Sequence, residues 1–219
     1  VKELNLVLLG APGSGKGTLA AKLGAKFGIP HISTGDLVRE EISRKTPLGK
    51  QVEETVKSGG LVDDCVVKAL LLKRLCRADA KKGFILDGFP RNLDQAESLA
   101  VYVDETKKRL NAVLYLKVPK KEIIKRISGR RQCSECGAVY NIYSNPPKKE
   151  KKCDRCGGRL YRRKDDSPKI VESRWKAYIY NTQPLIDYYK KKRLLLEVDM
   201  LGSVEENFLK ALKALEGIK

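Results

Sequence analysis

A stretch near the start of the chain, Gly10-Ala11-Pro12-Gly13-Ser14-Gly15-Lys16-Gly17-Thr18, joins several glycines to one lysine. Glycine lets backbone N–H groups turn inward around an anion with no Cβ in the way. The apolar run Leu6 to Leu9 leads into it, and a helical pattern from Gly15 to Phe27 follows. Strand, glycine loop and helix N-terminus together bind phosphate, and Lys16 adds a full positive charge. The spacing G-x-x-x-x-G-K is that of a nucleotide phosphate loop, with Gly13, Ser14, Gly15, Lys16, Gly17 and Thr18 as its binding residues. Gly17 stands where a magnesium-binding Ser or Thr is usual, and Thr18 comes one residue late.

Four of the six cysteines are spaced Cys133-x2-Cys136-x16-Cys153-x2-Cys156, each knuckle running on into glycine. Two such knuckles close a four-thiolate site for zinc, with iron left open by the same ligand set. All four positions are cysteine, so the role expected is structural. His31, the one histidine, is far from them in sequence. Cys65 and Cys76 are expected on one helix, about 16 Å apart by helical rise, as buried thiols without a role.

The third group is acid and arginine. The strand Gly83 to Asp87 ends on an acid and runs into Gly88-Phe89-Pro90-Arg91. Ligands of open α/β sheets sit at the carboxyl ends of strands, so Asp87 and the glycine loop are expected to face one crevice. Asp87 is the candidate to hold magnesium through water. Arg126 and Arg130, four apart, are expected on one helix face. Arg174 falls among the apolar positions of its helix, where a charge is costly without a counter-charge, and a ligand phosphate would supply one. Arg163 ends the cysteine region.

The elements that must position these residues follow from the pattern. Short apolar strands (Leu4–Leu9, Gly83–Asp87, Ala112–Val118, Leu194–Val198) alternate with helices, which predicts a parallel sheet covered on both faces. Residues 31–62 read as a small helical insertion, with Pro47-Leu48-Gly49 breaking the pattern between helices. A helix opened by Pro119 has Ile123, Ile124 and Ile127 as its core face. The cysteine region, Arg130 to Asp166, reads as a β-rich insertion too small to hold its shape without metal. Pro168 restarts a helix that Pro184 kinks or breaks, and Val204 to Leu215 closes the chain.

The 219 residues suit one α/β domain with insertions, and the net charge is +18. That charge fits nucleic-acid binding or a protein whose ligands are polyanions. No apolar run is long enough to span a membrane, and the start lacks a signal-peptide pattern, so a soluble cytoplasmic protein is expected. A nucleic-acid-binding ATPase competes on charge and zinc knuckles, but no aromatic stacking motif of RNA-binding type is present. A non-catalytic zinc module on a dead kinase core would lack Lys16 or a key arginine, and all are present.

The loop Gly10–Thr18, Ser33-Thr34-Gly35-Asp36 with Arg39, Leu86-Asp87-Gly88-Phe89-Pro90-Arg91 with Gln95, Gly129-Arg130-Arg131, and Arg163-Lys164-Asp165-Asp166 with Arg174 resemble adenylate kinase. The likeness is to the long-lid bacterial-type form with zinc in the lid, and it spans essentially the whole chain. It implies an α/β phosphate-loop kinase with a five-stranded parallel sheet. It implies a CORE (residues 1–32, 63–129 and 168–219), a helical monophosphate-binding domain (33–62) and a small zinc-bearing LID (130–167). The implied reaction is transfer of the ATP γ-phosphoryl group to AMP, with Mg²⁺ on the ATP and a structural Zn²⁺. By the same resemblance Thr34, Arg39, Gly60, Leu61, Val62, Gly88, Phe89, Pro90, Arg91, Gln95, Arg163 and Arg174 bind AMP. Arg126, Arg130, Val139, Tyr140 and Gly202 hold ATP with the loop. Asp199-Met200-Leu201-Gly202 departs from the family's more usual Asp-Gly-Thr. Lys16, Arg91, Arg130, Arg163 and Arg174 are the implied catalytic cations, with Asp165 and Asp166 fixing the lid arginines. A monomer with neither nucleic-acid nor membrane partner is expected.

Overall fold

The computed structural model describes residues 3–218, and of Lys164 the backbone alone. The outer ends of the expected CORE, residues 1, 2 and 219, lie outside that range. In chain order, β1 (Leu4–Leu9) is followed by α1 (Lys16–Phe27), β2 (His31–Ser33), α2 (Thr34–Ser43), α3 (Pro47–Ser58) and α4 (Asp64–Leu75). Then come β3 (Gly83–Asp87), α5 (Leu93–Glu105), β4 (Ala112–Lys117) and α6 (Lys120–Gly129). A separate region holds β5 (Arg130–Cys133), β6 (Val139–Asn141) and β7 (Leu160–Tyr161). The chain ends through α7 (Pro168–Ala177), α8 (Leu185–Lys191), β8 (Leu195–Asp199) and α9 (Val204–Leu215).

The main sheet has the order β2-β3-β1-β4-β8 and is parallel throughout. Its central strand is apolar on both faces because both are covered. Val7 and Leu9 pack into one core with Leu71, Leu99 and Tyr189, so α4, α5 and α8 lie on that side. Leu6 and Leu8 pack into the other with Leu19, Leu23 and Ala211, from α1 and α9. Fully burying one such leucine contributes roughly 1.5–3 kcal/mol, so these two layers fix the frame that carries the loops. In the β1–β3 register Leu8 is opposite Asp87. The glycine loop and Asp87 therefore leave the sheet side by side.

Local signals set the helix ends near the crevice. Gly15, in the left-handed region at φ 97°, precedes α1, a conformation costly for any residue with a Cβ. Ser33 caps α2 by accepting from the Asp36 N–H, and Asn92 caps α5 by accepting from the Gln95 N–H. Both caps also fix the direction of the chain as it leaves the β2 and β3 ends.

The cysteine region forms its own antiparallel sheet, order β6-β5-β7, between α6 and α7. Its core is small: Cys133, Tyr140, Cys153 and Leu160. That agrees with the expectation of a β-rich insertion.

Several expectations are corrected. Pro47 does not break the pattern; it opens α3 behind the cap Thr46, whose Oγ1 accepts from the Gly49 N–H. A missing N–H costs nothing at a first helical position. Ile124 is exposed, while Ile123 and Ile127 are buried, because α6 buries one narrow stripe. Cys65 and Cys76 are both exposed, not buried. Arg126 and Arg130 do not share a helix face, since Arg130 takes extended geometry and starts β5. Between α7 and α8 the chain passes through one wider π-type turn, Tyr178–Thr182, and Pro184 then caps α8.

Candidate active site

The loop after β1 curls over the N-terminus of α1. Lys16 Nζ lies back along it, donating to Gly10 O at 2.7 Å and Ala11 O at 3.0 Å. At Gly13, φ is 83° and an added Cβ would sit 2.6 Å from Ile127 Cγ1, so only glycine lets α6 approach the loop. Burial lowers the Lys16 pKa to about 8; Asp87 opposes this, and Arg91, Arg174 and Arg130 reinforce it. Cations from distant parts of the chain thus act on this amine.

Asp87 faces the loop directly. A Cβ on Gly17 would lie 3.5 Å from Asp87 Oδ2. Burial alone would raise this carboxyl, but the His31 hydrogen bond (3.3 Å) and the charge of Lys16 outweigh it and hold it below the ordinary range. An ionised carboxylate beside the phosphate loop, on the side where a Ser or Thr hydroxyl is missing, is chemically suited to water-bridged magnesium.

Around this pair stand the arginines. Arg91 is tied down by its own backbone neighbours: Nε donates to Gly88 O (2.9 Å), and its N–H donates to Gln95 Oε1 (2.8 Å). Arg130 pairs in a fork with Asp166, through Nε at 2.8 Å and through NH2. Arg174 NH1 donates to Asp165 Oδ2 at 2.9 Å. Burial lowers both Arg163 and Arg174 to about 10; repulsion from Arg39 and Arg130 adds to it at Arg163, while at Arg174 Asp165 opposes it and Arg130 and Arg91 reinforce it. Both remain charged at neutral pH. The surplus positive field favours polyanions.

Beside the loop opens a cleft where Thr34, Arg39, Gly60, Leu61, Val62, Arg91, Gln95 and Arg174 come together. Asp165 from the cysteine insertion also lines it. Gly88, Phe89 and Pro90 form the turn behind it, with a cis peptide between Phe89 and Pro90. Thr34 Oγ1 donates to Gly88 O at 2.8 Å. Gln95 accepts from the Arg91 N–H and donates through Nε2 to Asp64 Oδ1 at 2.6 Å. An amide has two donors and two acceptor lone pairs, so one of each stays available.

On the other side of the loop, Arg126 bridges three parts. It donates to Glu122 (2.9 Å), to Met200 O just after β8 (2.7 Å), and to Ser14 O (3.4 Å). Gly202 lies two residues on from Met200, at φ 134°. Val139 is exposed on β6. Tyr140 behaves differently from a ligand contact: its ring is in the lid core, its Oη 3.4 Å from Cys153 Sγ and accepting from the Asp154 N–H at 2.8 Å. Its backbone is paired with Arg131 of β5, so the residue is held by the lid sheet on both counts.

The four cysteine sulfurs lie within 4.8 Å of one another. Cys133 to Cys156 is 3.4 Å and Cys136 to Cys153 is 3.6 Å. A tetrahedron with Zn–S near 2.3 Å has edges of about 3.8 Å, so the set fits. Electrostatics agree. The Tyr140 hydrogen bond draws the Cys153 thiol down to about 6. The Gly158 N–H favours the Cys156 thiolate, but contacts with Cys136 and Cys133 outweigh it and push that thiol up to about 12. Four crowded sulfurs ionise together only around a cation.

A cleft and a ring of arginines beside one glycine loop, over a parallel sheet with a four-cysteine insertion, match one family. The family model for adenylate kinase matches residues 8–194. The chain belongs to the adenylate kinase family. An adenylate kinase of Archaeoglobus fulgidus is 48% identical over 216 residues, 99% of this chain and 100% of that one. Adenylate kinases of Thermodesulfovibrio yellowstonii (49% over 205 residues, 94% and 95% covered) and Fervidobacterium nodosum (49% over 203 residues, 93% and 93% covered) are similar throughout. The activity is that of adenylate kinases: a nucleoside monophosphate kinase converting ATP and AMP to two ADP, with Mg²⁺ accompanying ATP and a structural zinc site in the cysteine insertion.

Some residues that hold this site carry no motif in the sequence. His31 reaches Asp87 only because β2 lies next to β3. Asp64, at the start of α4, orients Gln95 and also accepts from Asn92 Nδ2 at 2.7 Å. Thr182 Oγ1 donates to Arg91 O at 2.7 Å from 91 residues away. A polar residue at the end of a predicted strand or helix is the one available hint to the first two.

Proposed function

We propose the following division of labour for the phosphoryl transfer. Thr34, Arg39, Gly60, Leu61, Val62, Gly88, Phe89, Pro90, Arg91, Gln95, Arg163 and Arg174 form the AMP side. The loop residues Gly13 to Thr18 form the ATP side with Arg126, Arg130, Val139, Tyr140 and Gly202. The observation that carries this reading is the convergence of Lys16, Arg39, Arg91, Arg130, Arg163 and Arg174 on one crevice, with Arg39, Arg91 and Arg174 lining its cleft.

The AMP phosphate is already anionic at neutral pH, so the nucleophile needs no general base. What opposes reaction is repulsion between two polyanions and the entropy of aligning them. Fixed cations lower both barriers by neutralising charge and by setting an in-line geometry. Lys16 and Arg130 act on the ATP phosphates, Arg91 on AMP, and Arg163 and Arg174 on the group in transfer. Magnesium, when bound with ATP, takes up part of the triphosphate charge, and Asp87 would hold it through water. The remaining donor and acceptor of Gln95 suit the edge of adenine.

Residues 33–62 and 130–167 are the two moving parts, each closing over one half-site on a CORE made of the rest. Closure excludes water, which would otherwise accept the phosphoryl group. The separate β6-β5-β7 sheet and its own small core support treating the second part as one rigid body. No helix among the described residues is long and apolar enough to cross a membrane. The chain is proposed to work as a cytoplasmic monomer without nucleic acid, which sedimentation at micromolar concentration checks.

The assignment is tested by coupled assay of ADP formation. Arg91→Met should raise KM for AMP by more than about tenfold while KM for MgATP changes little; Arg126→Met should do the reverse. Equal effects on both substrates would remove the two-sided reading.

A further inference from the structure

Arg130, Arg163 and Arg174, three of the cations assigned to the phosphates, are held in two different ways. Arg130 and Arg174 each have a carboxylate, Asp166 and Asp165. Arg163 has a neutral partner instead: its Nε donates to Gln132 Oε1 at 2.5 Å, and among the described residues no ion pair holds it. Gln132 is buried on β5, immediately before Cys133. Its backbone is paired with Val139 on one side and Tyr161 on the other. Its Nε2 donates to Gly137 O at 3.3 Å, in the first cysteine knuckle, and Tyr161 Oη donates to its Oε1 at 3.4 Å. The side chain is thus anchored to all three strands' surroundings and to the metal-stapled turn.

A neutral acceptor aims a guanidinium without cancelling its charge. A carboxylate in the same place would bind more strongly but would leave less net charge for a ligand. We propose that Gln132 is a positioning residue for phosphoryl transfer: it carries the rigidity of the cysteine-stapled sheet to Arg163 and holds the guanidinium without a directly paired carboxylate, leaving it open to the transferring group. The inference rests on the reading of Arg163 as a phosphate-binding cation.

The test is a double-mutant cycle on the zinc-loaded full chain. Gln132→Leu keeps the volume and removes the acceptor. It should lower kcat by about 10- to 100-fold, the usual cost of a misplaced catalytic group, with zinc content and KM for MgATP nearly unchanged. Arg163→Met should lower kcat by on the order of 10³-fold. In the Arg163→Met background, adding Gln132→Leu should change kcat by less than about twofold. Equal losses from Gln132→Leu in both backgrounds would overturn the proposal, because Gln132 would then act on the lid as a whole. An unchanged kcat in Gln132→Leu alone would overturn it too. A normal kcat in Arg163→Met would instead strike the reading of Arg163 itself. Should Gln132→Leu lose zinc or fail to fold, Gln132→Glu decides. That variant keeps the hydrogen bond but adds a counter-charge, so it should still lower kcat, and full activity would refute the proposal.

Discussion

Lys16 is the residue whose charge the site most visibly controls. With its pKa brought down to about 8, the free enzyme loses this proton as pH rises through that value. A bound triphosphate favours the charged amine and raises the pKa again. MgATP binding at pH 8.5 should therefore take up a fraction of a proton, and binding at pH 6.5 none through this group. Calorimetry in two buffers of different ionisation enthalpy reads this directly; the same heat in both buffers at pH 8.5 would contradict it. Lys16→Met should keep the fold by circular dichroism and lower kcat by on the order of 10³-fold. Near-normal turnover would take the amine out of the mechanism. At this scale the sequence was informative where chemistry is local. Gly13, Gly15 and Lys16 belong to one loop, so their spacing alone implies a phosphate. The His31–Asp87 and Gln95–Asp64 contacts were not legible, because each depends on which elements become neighbours. Tyr140 shows the same limit: its motif position was readable, but its ring's place beside Cys153 depends on how the second cysteine knuckle folds back onto β6.

Among the elements, the β6-β5-β7 sheet depends most on something other than apolar packing. Its core amounts to two cysteines, one tyrosine and one leucine, with Cys136 and Ala138 packed against them. Metal binding is then folding energy for this part of the chain. Cys153→Ser should release the zinc and lower the first thermal transition. In a chain of this size each kcal/mol lost lowers Tm by roughly 2–4 °C, so a drop of more than about 5 °C is expected. Elemental analysis with scanning calorimetry checks both; a variant that keeps its metal and its Tm would show the staple to be dispensable. Low-temperature activity should partly survive, since the glycine loop and the main sheet do not involve the cysteines. The knuckle spacing made this element readable in advance. Element boundaries are less so: proline marks a break or a helix start alike, and at Pro47 only the Thr46 cap, seen in the structure, distinguishes them. The buried stripe on α6 is narrower than the apolar pattern by one residue, Ile124, since the pattern does not say how much of a helix its neighbours cover.

For the whole molecule, the parallel order β2-β3-β1-β4-β8 is what turns scattered motifs into one site. It sets the β1 loop next to the β3 end, so that Gly17 and Asp87 face each other, and it sends α2 and α3 to one side of the crevice. Alternation of strands and helices made the fold class legible, and the high positive charge is placed in part by the arginines that ring the crevice. The order of strands was not legible from the pattern, since parallel strands can be shuffled without changing it. The central claim is that AMP and ATP meet across one crevice, with AMP in the cleft of Thr34, Val62 and Gln95. The most direct measurement is a crystal structure with two adenosines bridged by five phosphates. One molecule per chain is expected, with one adenine against Gln95 and Val62 and the phosphate chain running past Arg91, Arg163 and Lys16. Binding of both adenines outside that cleft, or of two molecules at separate places, would contradict it.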